Sequence, residues 1–129
     1  MLIPENATDW NVLVVDDHSD FAKQIKAIME HHGANVHTTT EGTQCLEMAR
    51  SLKPTMIITD LAMPIIDGWR LLEELRADKA TANIPVIAIT AYHSSDVEAS
   101  AFRVGFDAYF PKPVEAGTFV AMLGQMLRP

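Results

Sequence analysis

Five polar residues stand at the ends of short apolar runs: Asp16 and Asp17 after "NVLVV", Asp60 after "TMIIT", Thr90 closing "IPVIAIT", and Lys112 shortly after "DAYF". Adjacent carboxylates repel each other, and burial raises the cost unless an opposite charge offsets it. Carboxylates are ligands that Mg²⁺ prefers, usually together with a phosphate. A lysine and a hydroxyl would supply a positive charge and a hydrogen-bond donor for a phosphoryl group, which an aspartate can accept as an acyl phosphate. These residue types therefore indicate magnesium-dependent phosphoryl chemistry.

Each of these residues also has a common structural role. An aspartate after a strand often caps a helix or forms a turn, and threonine favours strands in any case. Asp67, which precedes Gly68 in a turn signal, is a candidate fourth metal ligand, but we predict that it caps the following helix. The chain's five histidines (18, 31, 32, 37 and 93) show no spacing typical of metal ligands across elements.

The elements that must position these residues alternate along the chain. Apolar runs predict strands at 11–15, 35–40 (an edge strand), 55–60, 84–90 and 107–110. Helical periodicity predicts a first helix from a Ser19 cap to a stop at Gly33, and further helices at 42–52, 68–79, 95–104 and 115–128. This order predicts an α/β fold, a doubly wound, mainly parallel sheet covered on both faces. Such sheets bind ligands beyond the carboxyl ends of their strands, where the five polar residues fall.

Composition narrows the function further. A chain of 129 residues that is 48% apolar fits one globular domain, and its net charge of −7 without a basic cluster argues against direct binding to nucleic acid. No apolar run is long enough for a membrane span, and "MLIPENATDW" lacks the features of a signal peptide, so we expect a cytoplasmic protein that does not enter a membrane. Cys45 falls among apolar residues at helical spacing, which predicts a buried side chain rather than a reactive thiol.

Four motifs carry a family resemblance: "VVDD" (14–17), "DLAMPIIDG" (60–68), "IAITA" (87–91) and "YFPKP" (109–113). In this order and spacing, the chain resembles the receiver domain of bacterial two-component response regulators, of the chemotaxis-regulator type, from about residue 11 to 128. The resemblance implies a flavodoxin-like (βα)5 fold with five parallel strands in the order 2-1-3-4-5. It also implies an N-terminal extension over residues 1–10 and a receiver domain over residues 11–129.

The resemblance further implies a role for each motif residue. Asp60 would accept the phosphoryl group. Asp17 would bind Mg²⁺ (or Mn²⁺) directly and Asp16 mainly through water, with Asp60 and the backbone carbonyl of Ala62 completing the protein's ligands. The phosphoryl-binding and switch residues would be Thr90, Ala91, Tyr109 and Lys112, and the Lys112–Pro113 peptide bond would be cis. Two positions that tune the lifetime of the phosphorylated state in this family hold Ala62 and Tyr92, which predicts a long-lived phosphoaspartate.

The implied partners are a sensor histidine kinase or a histidine phosphotransfer protein, and a downstream target that binds helix 4, strand 5 and helix 5. The last helix carries no charge between Glu115 and Arg128. Its core side is predicted to comprise Phe119, Val120, Leu123, Met126 and Leu127. We expect its weakly polar opposite face to dock a partner or a second copy of the chain as a homodimer, although a merely solvated helix would show the same pattern.

The expected function is a signalling switch rather than an enzyme acting on an external substrate. Two alternatives remain: a receiver-like interaction module that works without phosphorylation, and a haloacid-dehalogenase-type phosphohydrolase. The second normally has Asp-x-Asp after its first strand, whereas this chain has Asp-Asp-His. The kinase and the target cannot be inferred from the sequence, which fits either a stand-alone receiver or one taken from a longer regulator.

Overall fold

A computed structural model describes residues 7–126. Five strands alternate with five helices in this part of the chain: β1 (Asn11–Val15), α1 (Ser19–His31), β2 (Asn35–Thr39), α2 (Gly42–Leu52), β3 (Met56–Asp60), α3 (Gly68–Ala77), β4 (Val86–Thr90), α4 (Ser95–Val104), β5 (Ala108–Pro111) and α5 (Ala116–Met126). The strands pair in parallel in the order β2-β1-β3-β4-β5. The predicted α/β class and strand order are confirmed.

Alternation along the central strands divides the core into two layers, because successive side chains of a strand point to opposite faces. Val12 and Val14 of β1 pack in the layer beside α1 and α5. Leu13 and Val15 pack in the layer beside α2 and α3. Both faces are covered, so every residue of β3 and β4 is buried, and in β1 all residues after Asn11 are buried.

Cys45 of α2 lies in the second layer with no exposed surface. Burial in apolar surroundings raises the pKa of its thiol to about 12. Thiolate is the reactive form of cysteine, so this side chain is inert packing. The prediction of a buried structural residue is confirmed.

Two local predictions were wrong. Ser19 is the first residue of α1 rather than its cap, because His18 occupies the cap position. The chain turns one residue earlier than expected, since the Asp16 carboxylate accepts the backbone N–H of His18 (2.8 Å). Met126 was assigned to the core side of α5 but is 43% exposed, because Leu123 and Gly124 take the buried positions of that turn. The assignment of Leu127 lies outside the described residues.

Residues 7–10 pack against the domain. Ala7 is buried in the first core layer, and its N–H donates to the carbonyl of His32 (2.8 Å) at the end of α1. Trp10 packs beside the same layer, and its carbonyl accepts the N–H of Asn35 (2.9 Å). Among the helices described here, none has the length and apolar character needed to cross a membrane.

Candidate functional site

The strand ends bring the predicted site residues to one edge of the sheet. Asp60 is the last residue of β3 and pairs in register with Ile89, so it lies beside Thr90 at the end of β4. Asp16 and Asp17 directly follow β1, the neighbour of β3 on its other side. Lys112 follows β5, and its N–H donates to the carbonyl of Thr90 (2.8 Å). Parallel pairing therefore collects residues that are far apart in sequence.

Lys112 is held against the aspartates. Its Nζ lies 2.8 Å from Oδ2 of Asp16 and 3.4 Å from Oδ2 of Asp60. The ammonium also lies 4.3 Å from the ring centroid of Phe21, a distance at which the face of an aromatic ring attracts a cation. The side chain is only 12% exposed. One face of the site thus has a fixed positive charge.

The Asp60 carboxylate is held in a fixed orientation, and its ionised form is disfavoured by its surroundings. Burial raises its pKa, and the negative charge of Asp16 raises it further, while Lys112 and the backbone N–H of Ala62 act in the opposite direction. The Ala62 N–H donates to Oδ1 (3.2 Å), and Oδ2 faces Lys112. An orientated carboxylate beside a cation is suited to attack on a phosphoryl group.

Four side chains form a cluster that we call the acidic pocket: Asp16, Asp17, His18 and Asp60. Each offers one ligand atom, and these atoms all lie within 4.8 Å of one another. Oδ1 of Asp17 is buried and accepts no hydrogen bond from the described residues, and the buried Oδ2 of Asp16 faces the Lys112 ammonium (2.8 Å). Lys112 is the cation that contacts these carboxylates most closely, and it cannot neutralise three of them. The donor set therefore fits a divalent cation.

His18 was not among the site residues predicted from the sequence, although the structure places it in the acidic pocket. Its Nδ1 lies 3.3 Å from Oδ1 of both Asp16 and Asp17, and 4.0 Å from Oδ2 of Asp60. Spacing across elements could not reveal it, because the turn after β1 folds consecutive residues toward one point. The contiguous Asp-Asp-His was the available signal.

The predicted switch residues occupy the same edge on the β4–β5 side. The hydroxyl of Thr90 is buried and accepts the N–H of Tyr92 (3.0 Å). Tyr109 is also buried, which raises the pKa of its phenol, and its Oη lies 2.8 Å from Nδ1 of His93. This link to His93 had no signal in the sequence. Ala91 and Tyr92 are exposed.

The β3–α3 connection is built around close packing. A Cβ on Gly68 would lie 2.4 Å from the carbonyl oxygen of Asp60, so only glycine allows this approach. Asp67 caps α3, accepting the N–H of Arg70 (2.8 Å), which confirms the capping interpretation. The start of α3 thus packs directly against the backbone of Asp60. On the opposite side of the site, the Lys112–Pro113 peptide bond is cis.

Comparison with known proteins agrees with this geometry. The family described as the response regulator receiver domain matches residues 12–124. A putative response regulator from Chloroflexus aurantiacus superposes with a TM-score of 0.85 at 25% identity, covering 92% of this chain and 97% of that one. The chain belongs to the receiver domain family of response regulators.

Its relatives differ in length. The chain is 30% identical to a probable transcriptional regulator of Porphyra purpurea over 92% of its own length, but it spans only 56% of that protein. It is 28% identical to the polar-differentiation response regulator DivK of Brucella anthropi, covering 91% of this chain and 95% of the relative. The receiver fold therefore occurs among its relatives both with and without a further region.

Proposed function

We propose that this receiver domain accepts a phosphoryl group on Asp60 from a phosphohistidine of a sensor kinase or a phosphotransfer protein. The observation that carries the proposal is the buried Asp60 carboxylate, which lies 3.4 Å from Nζ of Lys112 and clusters with the other two aspartates of the acidic pocket. In the transfer, an oxygen of Asp60 attacks phosphorus, the P–O bond forms, and the P–N bond to the donor imidazole breaks. The imidazole leaves with the bonding electrons and takes up a proton.

The residues around Asp60 support this step. Lys112 would pair with the negative phosphoryl oxygens, and the Ala62 N–H would keep the carboxylate orientated. Asp16, Asp17, Asp60 and the carbonyl of Ala62 would hold Mg²⁺ or Mn²⁺. When bound, the ion supplies positive charge that offsets the carboxylates and the incoming phosphoryl group. The protein works as a switch, and hydrolysis of its own phosphoaspartate resets it.

The proposed switch couples Thr90 to Tyr109. Phosphorylation would draw the Thr90 hydroxyl toward the phosphoryl group and away from the Tyr92 N–H that it now accepts (3.0 Å). Ala91 would contribute to phosphoryl binding. Tyr109 would then change its position and its link to His93 (2.8 Å), which connects β5 to the segment preceding α4. The consequence is a rearranged face formed by α4, β5 and α5.

That face is the proposed docking surface for a downstream protein. The exposed large apolar side chains of its helices include Phe102 (46%) on α4 and Met122 (42%) and Met126 (43%) on α5. A second copy of the chain is the other candidate partner. Sedimentation with a phosphoryl mimic should show association that Met122→Lys weakens and that Gln24→Lys, at an exposed position of α1, leaves intact. Unchanged monomers in every sample would exclude the homodimer.

The lifetime of the phosphoaspartate is expected to be long. Ala62 has no side-chain polar group to position an attacking water, and Tyr92 (74% exposed) could cover the acyl phosphate. Ala62→Asn should therefore accelerate dephosphorylation, measured by loss of the phosphorylated mass over time. An unchanged rate would refute the role of position 62.

Neither alternative function gains support. An interaction module that works without phosphate would not need the acceptor, the lysine and the threonine together, and the chain keeps all three. A haloacid-dehalogenase-type hydrolase would place a second aspartate two residues after the first, where His18 stands. We propose a cytoplasmic protein that contacts neither nucleic acid nor membrane directly.

The decisive test is phosphorylation itself. The protein is incubated with Mg²⁺ and acetyl phosphate or a phosphoramidate, and its intact mass is measured beside Asp60→Asn. We expect a gain of one phosphoryl group in the wild type and none in the variant. A wild type that binds Mg²⁺ but gains no mass would overturn the proposal.

A further inference from the structure

We propose that His18 is a nitrogen ligand of the acidic pocket, so that this site binds a first-row transition-metal ion, Zn²⁺ or Co²⁺, with a preference over Mg²⁺ that three aspartates alone would not give. The inference deepens the proposed function, because it concerns the metal of the same site. It assigns a binding role to a residue that the phosphoryl chemistry leaves unused.

The distances within the acidic pocket match the edges of one coordination sphere. Two ligand atoms at right angles, each about 2.1 Å from an ion, lie about 3.0 Å apart, and two opposite ones lie about 4.2 Å apart. Nδ1 of His18 lies 3.3 Å from oxygens of Asp16 and Asp17, and 4.0 Å from Asp60. One ion can therefore reach the nitrogen and the oxygens with small adjustments.

The backbone holds His18 at this position. It is the cap residue of α1, and its N–H donates to Oδ1 of Asp16 (2.8 Å), the same oxygen that its ring approaches. The imidazole is 70% exposed, whereas Asp16 is fully buried. The nitrogen thus lies on the solvent side of the pocket, where an ion would enter.

Charge also fits a divalent ion. The carboxylates of Asp16, Asp17 and Asp60 are accompanied by one positive charge, the ammonium of Lys112. The negative charge that remains unbalanced matches one divalent cation. Oδ1 of Asp17 is buried and accepts no hydrogen bond within residues 7–126. The Asp17 oxygen is therefore available to an ion, whereas Oδ2 of Asp16 already faces the Lys112 ammonium (2.8 Å).

The chemistry of the ligands sets the preference. Mg²⁺ demands oxygen ligands and gains little from an imidazole, whereas zinc and its neighbours in the transition series bind imidazole well. Even a site made of three carboxylates binds the divalent transition-metal ions with affinities that follow the general order for these metals. The part due to His18 is therefore the change in the Zn²⁺/Mg²⁺ affinity ratio when the imidazole is removed.

The test measures that ratio directly, on the full chain and without a phosphodonor. Affinities for Zn²⁺ and Mg²⁺ are determined by calorimetry for wild type, His18→Ala and His31→Ala. His31 is an exposed histidine in the last turn of the same helix and controls for nonspecific binding. Co²⁺ absorption spectra of the three proteins report whether nitrogen is in the coordination sphere.

We expect His18→Ala to lower the Zn²⁺ affinity roughly tenfold or more, since losing even an outer partner of a metal site costs about that much. Mg²⁺ affinity should change less than about twofold, and the Co²⁺ spectrum should shift in His18→Ala alone. Equal losses for both ions, or an unchanged Co²⁺ spectrum, would overturn the inference. Phosphorylation of Asp60 is measured separately, so its failure would not be confused with a failure of this inference.

Discussion

Two groups of charged residues lie at opposite edges of the same sheet and differ in balance. At the amino edge, Arg76 donates to the carbonyls of Ala82 (3.0 Å) and Ile84 (2.7 Å) and pairs with Asp107 (3.1 Å). The same Asp107 oxygen accepts the N–H of Val86 (2.9 Å). There the positive charge of Arg76 is paired with the negative charge of Asp107, and the two carbonyls and the Val86 N–H also have partners. At the carboxyl edge, the acidic pocket has a surplus of carboxylates.

The balanced group at the amino edge has a structural role, whereas the unbalanced acidic pocket is suited to binding. A charge group that is complete within the chain stabilises the fold, because forming it requires nothing else. An incomplete group destabilises the free protein and is stabilised by whatever binds it. Removing a charge at the amino edge should therefore lower the free energy of unfolding, whereas neutralising a carboxylate of the acidic pocket should raise it in the metal-free protein.

Removing Arg76 should have the largest effect. Arg76→Met keeps the apolar stem but leaves two carbonyls without this donor and Asp107 without its cation, which should reduce the free energy of unfolding by about 1.5–3 kcal/mol. Urea denaturation measures the loss. The matched control is Arg70→Met on the same helix, whose exposed pairs with Glu73 and Glu74 contribute only about 0.5 kcal/mol. Similar losses in the two variants would contradict the comparison.

Metal binding should stabilise the carboxyl edge. A saturating divalent ion at about 100 times its dissociation constant adds about 2.7 kcal/mol to the free energy of unfolding. Asp17→Asn should remove more of this gain than Asp16→Asn, because Asp16 is fully buried against Lys112 while Asp17 is partly exposed. Thermal unfolding with and without Mg²⁺ measures the gain, and Asp96→Asn on α4 should leave it intact. The reverse ranking would refute the division of roles.

Neutralising Asp60 should stabilise the metal-free protein at neutral pH. Burial and the charge of Asp16 raise the pKa of Asp60, so the folded state holds its proton more tightly than the unfolded state. Its contribution to stability is therefore full below the unfolded pKa of about 3.9 and is lost as pH rises through the folded pKa. In a chelator, Asp60→Asn should unfold at a higher temperature than wild type at pH 7, and the difference should shrink toward pH 4.

Asp78 provides the opposite case for the same measurement. A hydrogen bond from Arg50 lowers the pKa of Asp78, so its contribution is present at neutral pH and is lost as pH falls through the folded pKa. Asp78→Asn should therefore unfold at a lower temperature than wild type at pH 7. The two variants moving in the same direction would contradict the comparison.

The smallest effect is expected at Phe21. Phe21→Leu keeps most of the apolar contact but removes the ring face beneath the Lys112 ammonium (4.3 Å). A double-mutant cycle with Lys112→Met should give a coupling free energy of about 0.5–1 kcal/mol. A coupling near zero would show that the carboxylates alone position the lysine.

The sequence predicted most of the fold, because the signals were local and consistent. Five apolar runs that alternate with segments of helical periodicity predict the parallel sheet, and the polar residues at the ends of these runs indicate its carboxyl edge as the candidate site. Helix ends were predicted less well: a turn stabilised by Asp16 moved the start of α1, and a buried Gly124 turned Met126 toward solvent.

The residues of the candidate site also differ in how well the sequence predicts them. The aspartates and Lys112 follow strands, so topology alone brings them together. His18 and His93 contact the site through loop geometry, which depends on how each chain turn closes and has no periodic pattern. The steric need for Gly68 likewise became visible only when the Asp60 carbonyl was seen beneath it.

The packing of residues 7–10 has a practical consequence for labelling. Ala7 and Trp10 bind at the end of α1 and the start of β2, which is the amino edge of the sheet. The acidic pocket lies at the other edge, where β1 and β3 end. A fluorophore or an immobilisation handle joined ahead of residue 7 is therefore attached on the side of the domain away from the acidic pocket. Such a label is suited to measurements of phosphotransfer and metal binding.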